Sequence, residues 1–410
     1  MKSVSRDKTK KNPPWVIVAG GVNRLGGTDK ANLALVEYLV EQDHPVHVVT
    51  HRIDDGLLQH PNIHVELVPV PAGSWLLGEK LLSFRGCQVS EKVTLEHPEA
   101  RVLVNGGNCA WGDINWVHRV HHAWAPKTVE APWIHRLKHR MAIGSAKRRE
   151  LTCLHKARMI VANSELTRKH LIEHIGIDPR IVHAIHLGTE SAWVPPDAAE
   201  RELARQRLNQ PAERPLVLFI GAIGYDNNKG LDTLFHAWSK LCFLAEWDAD
   251  LVIVGDGRAL PRWRSFAAQS DFSDRIRFLG FSDQIADLLA AADLLVSPVR
   301  YESYGLNVQE ALCRGVPAIV SAGAGVAERY PTPLRDLLLS DPEDVDDLVK
   351  SMFMWRSRID FWRLRVTEFS KELRAYSWRE MAERIYTFAT STPHHMGDAP
   401  EIMVNAGGTK

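Results

Sequence analysis

The sequence predicts an α/β protein with two doubly wound, Rossmann-like domains, each built on a parallel sheet and facing a central cleft. Short apolar strands alternate with amphipathic helical segments throughout the chain, and several strands are apolar at consecutive positions. Consecutive apolar residues are typical of strands covered on both faces. The series restarts near Leu216, and 410 residues exceed the usual size of one hydrophobic core. Because ligands of such sheets bind beyond the carboxyl ends of the strands, the site is expected in the cleft.

Predicted strands are short apolar segments followed by turn residues. In the first half they are Trp15–Ala19, Val46–Thr50, His64–Val70, Val102–Asn105, Ile114–Val120 and Met159–Ala162. In the second half they are Leu216–Ile220, Leu251–Val254, Ile276–Leu279, Leu294–Val299 and Ala318–Ser321. The intervening helical segments make each pair of strands a βαβ unit.

The domain boundaries follow from changes in composition along the chain. Proline and charged residues concentrate before the second strand series, and both ends of the chain are polar. We expect a disordered lead-in at 1–14, a first domain at 15–190, a linker at 191–213, a second domain at 214–376, a helix at 377–389 that packs back on the first domain, and a flexible tail at 390–410.

Composition excludes several classes of protein. Lys plus Arg and Asp plus Glu number 50 each, so no global positive charge points to nucleic acid. The five cysteines are scattered without a C-x-x-C motif, which favours a reducing compartment over a disulfide framework or a zinc cluster. No apolar run reaches the roughly 18 residues that a membrane span needs. A cytoplasmic protein is therefore expected.

Two glutamates eight residues apart mark the strongest candidate site. Glu302 falls on a predicted strand-to-helix loop, and Glu310 falls about one turn into the following helix, with Tyr304, Gly305 and Leu306 between them. The first N–H groups of a helix are unpaired and favour phosphate. A carboxylate one turn further accepts hydrogen bonds from a diol such as ribose. This arrangement suits a nucleotide sugar, although a solvated pair of glutamates has the same spacing.

Glycine-rich turns follow the first strand of each predicted domain. Gly26 and Gly27 precede a helix in the first domain, and Gly221 follows Ile220 in the second. Glycines allow a ligand to approach the backbone closely. Lys229 stands at a predicted helix start, where the dipole disfavours a cation, so a bound anion would explain it. Ligand-free turns and a solvated lysine remain the plain alternatives.

These segments together resemble the retaining GT-B glycosyltransferases of family GT4. The resemblance rests on GGVNRLGGTDKANLALVEYL, VANSELTRKHL, HLGTE, FIGAIGYDNNKGLDTLFHAW, LVIVGDG, RIRFLGF and YESYGLNVQEALCRGVPAIVS, which occur in the family's order. The last segment is similar to the family's E-x7-E block, and the resemblance extends from about Trp15 to Phe388.

The resemblance implies roles for the candidate residues. Glu310 would bind the donor ribose, and Glu302 would hold hydroxyls of the transferred sugar. The backbone at 304–306 would contact sugar and diphosphate, and Lys229 would neutralise the departing diphosphate. No metal or other cofactor is implied. The donor would be a UDP- or GDP-sugar, and the acceptor would be a hydroxyl of a glycan, a lipid or a small molecule.

Ala222 departs from the family pattern. Family members often carry arginine at this position, so phosphate binding would depend more heavily on Lys229. Arg300, near the same sheet edge, is a possible substitute. The loss motivates a second hypothesis, a nucleotide-sugar binding protein without transfer activity. A third, a nicotinamide-dependent oxidoreductase, rests on the first glycine turn alone and lacks the G-x-G-x-x-G pattern.

Three histidines near the end of the predicted strand Ile114–Val120 are further candidates. The family often has a histidine at this strand end, pointing to the reacting sugar, and aligning the apolar run favours His121, then His122, then His118. A neutral imidazole there could bond a sugar hydroxyl or move a proton, whereas a structural role is the common alternative.

Two charged segments complete the predictions. Residues 135–149 form a basic helical patch that fits an anionic membrane surface, an acidic acceptor or simply solvent. Asp248 and Asp250 form a D-x-D motif, but they precede a strand at the end opposite the expected site. We therefore interpret them as a surface loop and expect no metal there.

Overall fold

The structure, a computed structural model, describes residues 12–126, 128 and 131–391. Within these residues the chain forms one seven-stranded and one six-stranded sheet, and the paired strands run parallel in both. The prediction of two parallel-sheet α/β domains is confirmed.

The strands have the following bounds. The first sheet contains β1 Trp15–Ala19, β2 Val46–Thr50, β3 Ile63–Leu67, β4 Arg101–Asn105, β5 Ile114–Val117, β6 Met159–Ala162 and β7 Val182–Ala184. The second sheet contains β8 Leu216–Ile220, β9 Asp250–Val254, β10 Ile276–Gly280, β11 Leu294–Ser297, β12 Ala318–Ser321 and β13 Leu338–Leu339.

The helices alternate with these strands. They are α1 Gly27–Glu41, α2 Trp75–Glu96, α3 Trp133–Leu154, α4 Glu165–His170, α5 Ala198–Arg207, α6 Leu231–Cys242, α7 Leu260–Ala268, α8 Ile285–Ala291, α9 Leu306–Cys313, α10 Val345–Arg356, α11 Ile359–Arg374 and α12 Trp378–Ser391. A π-helical turn, Leu171–Ile175, continues α4, and a 3₁₀ turn, His121–Ala123, follows β5.

Strand order places a topological switch point in each domain. The orders are β3-β2-β1-β4-β5-β6-β7 and β10-β9-β8-β11-β12-β13. In each sheet the order reverses beside the first strand, between β1 and β4 and between β8 and β11. Crevices at such points are where ligands bind in open α/β sheets. The loops after β1, β8 and β11 are therefore the ones that position a site.

Both domains are built around central apolar strands that are buried along all or nearly all of their length, as in β1, β4, β8 and β11. In the first domain, Trp15 and Ile17 of β1 pack in one cluster with Leu35 of α1 and with Met381 and Ile385 of α12. Helix α12 thus returns from the end of the chain to cover the first sheet. Sequence reasoning missed β7 and β13, which are only three and two residues long.

Several expected boundaries can be compared with the described residues. Asn12 Nδ2 donates to the Gln42 carbonyl at 2.7 Å, so the ordered chain begins before Trp15. Helix α5 lies inside the expected linker 191–213, and α12 includes Thr390 and Ser391 of the expected tail. The rest of the lead-in and tail, 1–11 and 392–410, lies outside the described residues.

Candidate functional site

A cavity of about 320 Å³ lies between the two domains at the ends of the switch-point strands. Both domains contribute to its wall. The lining residues are Gly27, Thr28, His118, Asn163, Leu187, Ile220, Gly221, Ala222, Lys229, Glu302, Ser303, Tyr304, Gly305, Leu306 and Asn307. This central cavity brings together most of the residues selected from the sequence.

The N-terminus of α9 forms one wall of the central cavity. Gly305 precedes the helix with a φ of 110°, and a Cβ there would lie 2.9 Å from Val326 Cγ1. Only glycine fits both the backbone conformation and the space. Asn307 Nδ2 donates to the Ile220 carbonyl at 2.9 Å, which fixes the helix start against the end of β8. Leu306 and Asn307, the first two residues of α9, have N–H groups without an acceptor in the helix, and both residues line the cavity.

Lys229 and Glu302 form an ion pair in the same cavity. Lys229 lies two residues before α6, and Glu302 lies in the loop between β11 and α9. Gly221 makes room for the lysine, because a Cβ at that position would lie 3.0 Å from Lys229 Cγ. Each side chain thus holds the other at the site while remaining partly accessible.

Arg300 does not take the place of the missing arginine at Ala222. Its guanidinium makes two 2.8 Å hydrogen bonds to the Asp232 carboxylate and one of 2.8 Å to Glu343. These bonds direct it away from the central cavity, whose wall at Ala222 is an exposed methyl group. The suggestion that Arg300 compensates is therefore not supported.

His118, rather than His121, lies at the central cavity. Strand β5 ends at Val117, three residues earlier than predicted, so His118 is the first residue beyond it. His121 Nδ1 and His122 Nδ1 instead contact the carboxylate of Glu150, at 3.2 and 2.7 Å. Burial opposes ionisation of Glu150, but hydrogen bonds from the two histidines outweigh it and lower its pKa. Of the three candidate histidines, His118 therefore lines this cavity and His121 does not, while the catalytic role assigned to His121 stays a prediction.

The environment of His118 keeps its imidazole neutral. Burial lowers the pKa of His118 to about 3. Neither ring nitrogen has a hydrogen-bond partner among the described residues. A buried polar group without a hydrogen-bond partner costs free energy. The position of His118 in the cavity wall therefore suits a ligand that supplies a hydrogen-bond partner.

Glu310 lies in a smaller adjoining cavity with Lys30 of α1. Lys30 Nζ is 2.9 Å from Glu310 Oε1, so this ion pair joins the two domains. Burial raises the pKa of Glu310, and the charge of Lys30 partly offsets that effect. Leu306 lines both cavities. Lys229 and Glu310 therefore lie in neighbouring cavities of one interdomain cleft.

The glycine turn of the first domain packs on the second. Gly27 begins α1, and a Cβ there would lie 3.1 Å from Leu306 Cδ2. Gly26 precedes the helix with a φ of 90° and does not line the central cavity. The turn thus brings α1 close to the start of α9 across the cleft.

The Tyr304 side chain anchors the second domain in the first. Its ring is buried among residues of the first domain's core, and its hydroxyl bonds to Gln309 and to the Leu187 carbonyl. Nearby, Ser164 of the first domain donates to the Ser303 carbonyl at 2.7 Å. Sequence analysis assigned only the Tyr304 backbone to the site.

Several contributors were missed from the sequence. Lys30 could have been found by the signal that identified Lys229, because it is a cation in the first turn of a helix. Asn163, Ser303 and Thr28 carry no pattern that separates them from ordinary loop residues.

The remaining polar motifs lie elsewhere. Asp248 binds Arg356 at 2.6 and 2.7 Å, and Asp250 begins β9, at the end of the strand away from the cavity. Among the described residues, no group of three His, Cys, Asp or Glu side chains is arranged to hold a metal ion. No helix in the described ranges combines the length and apolar character needed to cross a bilayer.

Two family models match the chain, one for each domain. The model described as "Glycosyltransferase Family 4" matches residues 25–193, and the model described as "Glycosyl transferases group 1" matches residues 214–354. Both matches include lining residues of the central cavity.

Curated relatives match shorter segments. The chain is 27% identical over 249 residues to mannosylfructose-phosphate synthase of Agrobacterium fabrum, covering 58% of this chain and 53% of that protein. It is 34% identical over 187 residues to D-inositol 3-phosphate glycosyltransferase of Streptomyces bingchenggensis, covering 43% and 40%. The chain thus spans about half the length of the curated relatives it matches, or less.

Solved structures match nearly the whole chain at low identity. The lipopolysaccharide-biosynthesis glycosyltransferase WaaG has a TM-score of 0.71 at 17% identity, covering 92% of this chain and 100% of that one. Anabaena HepE in complex with UDP-glucose has a TM-score of 0.66 at 15% identity, covering 92% and 100%. These similarities establish the fold as that of two-domain GT-B glycosyltransferases.

Proposed function

Because the chain belongs to glycosyltransferase family 4, we propose that it transfers a hexose-type sugar from a nucleoside diphosphate sugar to an acceptor hydroxyl, with retention of anomeric configuration. One observation carries the proposal. Lys229, Glu302, the N-terminus of α9 and a neutral His118 meet in one cavity between the domains. A cation and free N–H groups suit a diphosphate, and a carboxylate with an imidazole suits sugar hydroxyls.

In this proposal the diphosphate displaces Glu302 as the partner of Lys229. The ammonium then neutralises charge that develops as the bond from the anomeric carbon to the diphosphate oxygen breaks. Glu302, released from Lys229, accepts hydrogen bonds from the sugar. Glu310 accepts from the ribose through oxygen lone pairs that Lys30 does not occupy. Lys229 supplies the charge that a metal would otherwise provide, so we expect transfer without a metal.

Retention follows from same-face attack. The acceptor hydroxyl forms its bond to the anomeric carbon on the face that the diphosphate leaves, and its proton passes to a diphosphate oxygen. A glycosidase-like pair of carboxylates would flank one bond, whereas Glu302 and Glu310 lie in separate cavities. His118 is proposed to hold a sugar hydroxyl, because it lines the central cavity and neither ring nitrogen has a hydrogen-bond partner among the described residues.

A donor screen tests the proposal. Thermal shift and slow donor hydrolysis should be measured with UDP- and GDP-sugars, because a ligand that binds only the folded state raises the melting temperature. Lys229→Ala should weaken diphosphate binding by about tenfold or more, and Glu310→Ala should weaken binding of the whole nucleotide. Lys240→Ala, which removes an exposed ion pair with Asp346, is the control. Unchanged binding in both site variants would refute the donor site, and donor binding without hydrolysis or transfer would indicate a binding protein.

A further inference from the structure

Helix α3 carries an apolar stripe that is exposed in the described part of the chain. Trp133, Ile134, Leu137 and Met141 are 66%, 49%, 52% and 61% exposed. At 3.6 residues per turn these four side chains occupy roughly 100° of the helix surface. Large apolar residues concentrated on one face of an exposed helix indicate an interaction surface.

Cations flank the apolar stripe on both sides. Arg136 and Arg140 lie on one side of it, Lys138 lies on the other, and all three are exposed. The sequence of α3 contains a single acidic residue, Glu150, which is buried against His121 and His122. The helix is therefore strongly basic in a chain whose Lys plus Arg equals its Asp plus Glu. An apolar stripe bordered by basic residues is the pattern of helices that lie in a membrane interface.

The position of α3 connects this surface to the cleft. At one end, Glu150 accepts hydrogen bonds from the backbone of His121 and His122, just beyond β5. At the other end, the His135 ring is 5.3 Å from the Tyr225 ring, and His135 Nδ1 is 3.3 Å from Arg258 in the second domain. The helix, about 33 Å long at 1.5 Å per residue, thus extends from the first domain to the rim of the second.

We propose that α3 docks the protein on a bilayer that contains anionic lipid, so that the cleft receives an acceptor hydroxyl carried by a lipid. The docking rests on the exposed stripe and its cations, and the acceptor class additionally rests on the proposed transferase function. Charge complementarity favours an anionic bilayer as the partner of this surface. Basic residues near a membrane are attracted to anionic lipid, while the apolar residues enter the interface.

Vesicle binding of the full chain, without donor, tests the docking. Binding should be stronger to phosphatidylcholine vesicles containing phosphatidylglycerol than to phosphatidylcholine alone. Trp133→Ser combined with Leu137→Ser should reduce it by about tenfold or more, because two large apolar side chains no longer enter the interface. Arg136→Glu combined with Arg140→Glu should remove the preference for anionic vesicles. Phe243→Ser and the pair Lys350→Glu with Lys371→Glu change exposed residues of the second domain and should have no effect.

Each other outcome overturns a defined part of the inference. Absence of vesicle binding, or equal loss in the control variants, overturns the docking. Binding to a soluble polyanion such as heparin, with none to vesicles, assigns the surface to an acidic partner instead. If labelled sugar is incorporated only into water-soluble products, the assignment of a lipid acceptor is refuted but the proposed transferase function is not. Thermal shifts by donor should persist in the α3 variants, so failure of the docking is distinguishable from failure of the donor site.

Discussion

Lys30 of the first domain and Glu310 of the second form an ion pair of 2.9 Å across the cleft. The Glu310 side chain is only 16% exposed, and burial raises its pKa while Lys30 counteracts the rise. The charge of a carboxylate assigned to the donor ribose therefore depends on a residue of the opposite domain. Domain closure and the ionisation of Glu310 are coupled through this contact.

Replacing Lys30 by methionine should make donor binding sensitive to acid. Without the nearby cation, the pKa of Glu310 rises further, so the carboxylate protonates as the pH falls and loses acceptor capacity for ribose hydroxyls. Binding of UDP and GDP, measured calorimetrically, should weaken more between neutral and mildly acidic buffer in Lys30→Met than in the parent protein. Lys240→Met is the matched control. The same acid dependence in all three proteins would contradict the coupling.

Introducing arginine at position 222 should strengthen diphosphate binding. Ala222 lines the central cavity, and Arg300 is already bonded to Asp232 and Glu343. A guanidinium that reaches the phosphates adds charge-assisted hydrogen bonds worth about 1.5–3 kcal/mol, or roughly tenfold or more in affinity. The nucleoside diphosphate dissociation constant measures this gain. Ala222→Gln, which adds length without charge, should change little, and an equal gain from glutamine would refute the electrostatic explanation.

Most of the fold could be predicted because the strands are buried on both faces. Strands β1, β2, β6, β8 and β12 have the predicted bounds, since each is a mostly or wholly apolar segment that ends at a turn. The short strands β7 and β13 lack such a segment, and their pairing depends on neighbouring strands.

Site residues could be predicted where a local sequence pattern identifies them. They could not be predicted where their role depends on contacts between distant parts of the chain. Lys229 and Gly305 stand next to helix starts, and Glu302 stands in the loop before one, and the sequence reveals these positions. The choice among three histidines depended on where β5 ends, and Val120, an apolar residue three positions past Val117, made the strand look longer than it is. The pairing of Lys30 with Glu310 arises only when two domains close, so no local pattern reports it.

His118 should make folding less stable in acid. Its pKa is about 3 in the folded protein and 6.5 in its unperturbed state, so the unfolded chain binds more protons between these values. The free energy of unfolding from this group therefore rises with pH across that window and is fully present above about 6.5. Urea unfolding of His118→Leu should show a shallower pH dependence than the parent protein. His236→Leu, which removes an exposed histidine, is the control, and an unchanged slope in His118→Leu would show that His118 is protonated normally.

Tyr304 should hold the domains together through its side chain. Tyr304→Phe keeps the ring in the first domain's core but removes the hydroxyl that donates to the buried Gln309 Oε1, at a cost of about 1–3 kcal/mol. Tyr304→Ala also removes the ring, which costs about 3–5 kcal/mol and should open the cleft. Urea unfolding measures the first effect, and small-angle scattering measures the second. Tyr330→Phe, whose hydroxyl bonds to Ala318 within the second domain, should lower stability without changing the scattering profile. If Tyr304→Ala scatters like the parent protein, the interdomain anchor lies elsewhere.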